Sequence, residues 1–166
     1  DPLMAVSTLK SNAFGLRAIN PALSIALGEG YEAATQSWKA GAPLKRSSGK
    51  LAVAGADNTA DVVGVATEAA TGTTNAKAAI VLAFPNTVFE ATLEDETNED
   101  HALVYANLYT DYALQVDSSG NYYIDENDTT NTSVMIVGAN KSDIDAATVR
   151  ARVLCVFLQD VLAANT

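Results

Sequence analysis

Residues 38–66 read Trp38-Lys-Ala-Gly-Ala-Pro-Leu-Lys-Arg-Ser-Ser-Gly-Lys-Leu-Ala-Val-Ala-Gly-Ala-Asp-Asn-Thr-Ala-Asp-Val-Val-Gly-Val-Ala66. Two short apolar runs flank Arg46-Ser47-Ser48-Gly49, a glycine-rich turn follows at Gly55 to Asn58, and Val62 to Ala66 is a third run with β-branched residues. Short runs of this kind separated by glycine turns predict a β meander built from small side chains. The stretch holds no nucleophile–base pair, no metal-ligand spacing and no phosphate loop.

The same signature continues on both sides. Ala78 to Phe84 is a continuous apolar run ended by Pro85, which predicts a central strand buried on both faces. In Val88 to Leu93, Phe89, Ala91 and Leu93 alternate with Glu90 and Thr92, the pattern of a half-buried strand. Tyr112, Leu114 and Val116 alternate as well. Ser118-Ser119-Gly120-Asn121 then turns the chain into Tyr122 to Asp125, the clearest hairpin in the sequence. Ser133 to Val137 predicts another strand. Ala102 to Tyr109 fits a short helix or a strand. Val149 to Leu158 reads as a strand with Arg150 and Arg152 on one face, with a helix as the alternative. About nine short strands, with turn signals roughly every ten residues, predict an all-β fold of the barrel or sandwich type.

Residues 1–30 lack periodicity and are punctuated by Pro2, Gly15, Pro21, Gly28 and Gly30. They predict an extended N-terminal arm with room for one helical turn, preceding a β domain over residues 31–166. No window approaches 18 uncharged apolar residues, so no membrane-spanning helix is expected. Residues 13–27 are interrupted by Arg17, Asn20 and Pro21 and are not expected to form a signal-peptide core.

Charged residues make up 18% of the 166, below the usual quarter. So sparse a charge must be offset by Ser, Thr, Asn and backbone, or by another protein surface. The net charge is −10, which disfavours nucleic acid as a partner because phosphate contacts need clustered Lys and Arg. The charge is uneven. Residues 1–50 carry six basic and three acidic side chains, net +3, and residues 51–166 carry four against seventeen, net −13. A basic leading segment of this kind suits docking on an acidic partner.

Candidate chemistry is thin. The single histidine, His101, lies in the acidic run Glu99-Asp100-His101 and reads as solvated. The single cysteine, Cys155, sits in an apolar run and reads as a small buried hydrophobe. Asp117, Asp125, Glu126 and Asp128 could offer oxygen ligands to a cation such as Ca²⁺, but their spacing is not that of an EF-hand loop. A carbohydrate site would want aromatic platforms, and Trp38 is the only tryptophan. Asn127, Asn131 and Asn140 each begin a glycosylation sequon. No catalytic, cofactor or metal residue is expected, and the chain reads as a non-enzyme.

Three stretches, Ala40-Gly41-Ala42-Pro43-Leu44, Ser48-Gly49-Lys50-Leu51-Ala52-Val53 and Val62-Val63-Gly64-Val65-Ala66, resemble the head-decoration, or cement, proteins of tailed bacteriophages. Tyr112-Ala-Leu114 and Gly120-Asn-Tyr122-Tyr123-Ile124-Asp125 resemble a β segment of related phage structural proteins. The resemblance covers roughly residues 38–125. It implies a β-tulip or barrel-like domain that trimerises on the outer capsid surface of a virion and staples neighbouring major capsid proteins. It brings no catalytic residues. Two other readings fit the residues: another virion subunit such as a coat or fibre component, and a cation- or carbohydrate-binding β module.

Overall fold

A computed structural model describes residues 15–18, 26–57, 59–95, 102–145 and 151–163. Eleven strands appear among them. They are β1 (Arg17–Ala18), β2 (Leu27–Tyr31), β3 (Pro43–Ser47), β4 (Lys50–Val53), β5 (Val62–Ala66), β6 (Lys77–Leu82), β7 (Phe89–Glu94), β8 (Asp111–Val116), β9 (Tyr122–Asp125), β10 (Val134–Ala139) and β11 (Arg152–Phe157). Two single-turn 3₁₀ segments, Tyr105–Asn107 and Lys141–Asp143, are the only helical pieces described. The protein is all-β, as the turn spacing predicts.

The strands form two small barrels. The first runs in the order β2-β6-β5-β3-β4, and a parallel bridge between Glu32 and Leu51 brings its two ends together. The second is the ring β7-β11-β10-β8-β9, closed by a parallel pairing of Leu93 with Ile124 and Glu94 with Asp125. β7 can close the ring because its free edge is shared, with β1 pairing along Phe89 and Glu90 and β9 along Leu93 and Glu94. Closure leaves few open strand edges, the main hazard of a small sheet.

Register decides what each face does. Pro43 to Lys50 turns through Ser48 and Gly49, whose φ values of 49° and 79° make the primed turn that suits the right-handed twist of a hairpin. The pairing Leu44↔Val53 then sends Leu44 and Leu51 into the first barrel with Val62, Val65 and Ile80, while Ala42, Ala54, Ala66 and Ala78 fill the spaces between. The second barrel buries larger side chains, among them Phe89, Leu93, Leu114, Ile124, Ile136 and Phe157. The rings of Phe89 and Phe157 meet edge to face with centroids 5.4 Å apart.

The two barrels share one continuous core and are stitched in three places. Leu16 donates to Gly41 O (3.1 Å), and Gly41 donates to Ala66 O (2.8 Å). Here a Cβ on Gly41 would lie 2.7 Å from Gly15 Cα, so two glycines are needed where the chain segments cross. Asp57 donates its N–H to Leu114 O (2.9 Å). After β11 the chain returns to the first barrel, where Val62 donates to Val161 O (3.0 Å) and Ala163 to Val62 O (2.8 Å).

Several expectations need correction. Residues 38–66 do not form a meander: β5 pairs with β3 and not with β4, so β3 lies between the two. The run from Ala78 is not buried on both faces. β6 alternates, with Lys77 and Ala79 exposed and Ala78 and Ile80 buried, because it is one wall of a barrel whose outside meets water. β7 errs the other way: Glu90 and Thr92 are as buried as Phe89, Ala91 and Leu93. The ambiguous Ala102–Tyr109 resolves into the 3₁₀ turn Tyr105–Asn107, and Val149–Leu158 into strand β11 rather than a helix. β2 begins at Leu27, inside the stretch read as arm. Most of that stretch, including its expected helical turn, lies outside the described residues, as do His101 and Arg150.

Candidate functional site

The hairpin that decided the fold also carries the most distinctive surface. β3 and β4 place Lys45, Arg46 and Lys50 around the two-residue turn Ser48–Gly49. Arg46 through Gly49 are exposed, and Lys45 and Lys50 are half-buried. None of the three cations makes an ion pair among the described residues. Elsewhere on this barrel Lys77 Nζ sits 2.7 Å from Glu29 Oε2, and that hydrogen bond and charge raise the Lys77 pKa. Among the described residues of the first barrel, three of the four cations without an ion pair gather at one hairpin tip; the fourth, Lys39, donates to Asn121 Oδ1 (3.5 Å) in the second.

The second barrel is its electrostatic opposite. A recess of about 430 Å³ is lined by Glu94, Asp95, Gln115, Asp117 and Tyr123 at the end of the β8–β9 hairpin. Asp117 is held by its own turn. Its Oδ1 accepts from Ser119 N and Asn121 N, and its Oδ2 from Asn121 Nδ2, all at 2.8 Å. Partial burial alone would raise its pKa, but these bonds and the nearby Lys39 charge outweigh that and lower it. Asp128 is held the same way: donation from Thr130 N (2.8 Å) and Asn131 N (3.1 Å) lowers its pKa.

The four acids considered as cation ligands each have a hydrogen-bonded place in the structure. Asp117 and Asp128 close their own turns, buried Asp125 accepts from Asn127 N (2.9 Å), and Glu126 accepts from Asn107 Nδ2 (3.2 Å). Asp125, Glu126 and Asp128 share one turn, where Asp128 N donates to Asp125 O (3.3 Å), Asp117 closes another, and no group of three metal-ligating side chains gathers among the described residues. Trp38 is a core residue whose Nε1 donates to Glu68 O (3.2 Å), not a platform. Cys155 is fully buried and its thiol is pushed up to about 12, by burial and against the opposing pull of Arg152. Asn127 and Asn131 are exposed, whereas Asn140 is buried and accepts from Ser142 N (3.1 Å).

Two buried polar centres escaped the sequence reading. Arg152 and Glu90 are fully buried, with Nε 2.8 Å from Glu90 Oε1. Arg152 Nη1 also donates to Thr92 Oγ1 (2.8 Å), and both terminal nitrogens reach Gly15 O (3.4 Å). This cluster ties β7 and β11 to the chain segment that crosses between barrels. Glu32 is the second: its carboxylate accepts from Thr71 N (2.7 Å) and Gly72 N (3.0 Å), pinning a turn against the seam of the first barrel. The signal was present as one of two arginines in an apolar run and a lone Glu in an alternating one. A buried charge needs its partner in space to be recognised.

An apolar recess of about 730 Å³ lies where the chain returns to the first barrel, lined by Val62, Val63, Leu82, Phe84, Pro85 and Leu162 among others. No described helix is long and apolar enough to cross a membrane. No protein-family model matches the chain, and no curated protein matches it.

Proposed function

We propose that the chain is a structural subunit, a decoration protein that binds the outer surface of a bacteriophage head as a homotrimer and bridges neighbouring major capsid proteins. One observation carries the reading. The stretch that resembles cement proteins forms three adjacent strands in the order β5-β3-β4, and its hairpin presents three cations with no ion pair among the described residues, on a chain of net charge −10. A protein that works by attachment needs a rigid body and a presented surface. Two barrels sharing a core supply the first, and the hairpin tip supplies the second.

The test uses purified particles. Copy number per particle, and rebinding of the purified chain to particles stripped of it, measure decoration directly. Light scattering of the free chain at micromolar concentration measures the trimer. Saturable rebinding to the outer surface and a mass of three chains support the proposal. A single-chain mass together with no stoichiometric place on particles overturns it.

A further inference from the structure

One strand edge of the first barrel meets no described partner. In β2, Glu32 donates to Ala76 O (2.8 Å) and Leu82 donates to Ala26 O (2.9 Å), so the even-numbered residues exchange bonds with β6. The backbone groups of the odd-numbered residues therefore point to the opposite edge. There β4 covers only the C-terminal end, through the Glu32–Leu51 bridge and the bond from Ala33 N to Leu51 O (2.9 Å). β4 starts at Lys50, which stands opposite Tyr31 in that parallel register. Beyond it, the N–H and C=O of Leu27 and Glu29 meet no backbone group among the described residues.

Elsewhere among the described residues two strand edges are partly covered. β1 covers β7, and Gln36 Oε1 takes the outward N–H of Val53 (3.1 Å). At the β2 edge, by contrast, Leu27 is 74% exposed and Tyr31 54% exposed. The turn that carries Lys45, Arg46 and Lys50 lies next to it in the barrel. An open ladder, alternate apolar side chains and adjacent unpaired cations converge on one place.

We propose that the β2 edge accepts an extended acidic segment of a partner protein by strand addition. Main-chain bonds to Leu27 and Glu29 supply the register, Leu27 and Tyr31 receive alternate apolar side chains, and the hairpin tip attracts carboxylates. The charge pattern selects an acidic occupant over a second copy of this edge, because two copies would bring like-charged tips together. The identification of that partner as capsid protein rests on the decoration reading; the site itself does not.

The test is amide exchange on the full chain by NMR, with two synthetic seven-residue probes: valine alternating with glutamate or aspartate, and the same peptide with lysine in place of every acid. The Leu27 and Glu29 amides should exchange fast in the free chain and slow at least tenfold with the acidic probe, and the lysine probe should leave them unchanged. Lys45→Ala, Arg46→Ala and Lys50→Ala together should weaken acidic-probe binding about tenfold, at a few-fold per exposed charge, with the amide spectrum otherwise intact. Protection of these amides in the free chain at any concentration, equal binding of both probes, or protection by the acidic probe elsewhere overturns the site. Particle rebinding is scored separately: its loss with probe binding retained refutes decoration alone, and the converse refutes strand addition alone.

Discussion

The two barrels have the same strand count but are built differently. The first, over residues 26–83, buries five alanines, Ala42, Ala54, Ala66, Ala78 and Ala83. Its described residues carry five acidic and five basic side chains. The second, over residues 89–157, buries three alanines beside two phenylalanines and several leucines and isoleucines, and its described residues carry ten acidic side chains against two basic ones. Buried area drives stability at about 25 cal/mol per Å² of apolar surface, so the second barrel contributes the larger share per residue. The first is thinner in its core and presents the surface with attractive potential. Bulk and presentation are divided between the two barrels.

The sharpest way to break that division is at the junction. Arg152→Ala removes the partner of a fully buried Glu90 and the tie to Gly15 O, and should cost about 3–5 kcal/mol in denaturant unfolding. A loss under about 1 kcal/mol would mean that water reaches Glu90 and that the junction is not dry.

Core truncation compares the barrels directly. Phe157→Ala should cost about 3–5 kcal/mol and Leu44→Ala about 2–5, both side chains being essentially unexposed. Because the core is continuous, each should lower one shared transition. Trp38 fluorescence reports the first barrel, and absorbance from Tyr112, Tyr122 and Tyr123 reports the second. Coincident curves are expected; a Trp38 curve that melts first would show two independently folding units.

Glu90 and Arg152 show how far such a division was legible beforehand. Alternation in Val88 to Leu93 located the strand within a residue of its observed bounds, and Val62 to Ala66 is a strand over those same residues. Burial of the polar face was not legible, because it depends on Arg152, sixty-two positions away, and on the Gly15 carbonyl. The basic hairpin tip was legible as a charge excess. The open β2 edge was not, because an edge is defined by which strand fails to arrive.

Chemical reactivity offers a smaller, clean test. With its thiol pushed up to about 12 and no exposed surface, Cys155 should resist disulfide-exchange reagents at pH 8 in the native chain. Labelling should track global unfolding. Fast labelling of the folded protein would show that the second barrel opens locally around β11.

The smallest effect concerns pH. Asp117 and Asp128 have lowered folded pKa values, so the unfolded chain binds protons more readily than the folded one. Their contribution is present above the ordinary carboxylate value and disappears as pH falls through the lower folded values. Both are only partly buried, so solvent screening keeps it slight. Asp117→Asn and Asp128→Asn should each lower stability slightly at pH 7, flatten the profile below pH 4 and leave stability unchanged at its acid end. An unchanged acid limb in both variants would show that the turn bonds do not survive in solution.

By itself, the sequence determined that this protein is all-β, where most of its strands run and turn, and that its positive charge concentrates toward its start. Those properties are local: side-chain alternation, glycine and proline at turns, and charge counts act over a few residues. Only the tertiary structure decided that the strands close into two barrels and not one, and that Glu90, Arg152 and Glu32 are buried. It also decided that no described strand covers the edge at Leu27 and Glu29, beside the basic turn. Closure, burial of a charge and exposure of an edge each depend on which distant segment comes to lie alongside, and that is settled by the packing of the whole chain.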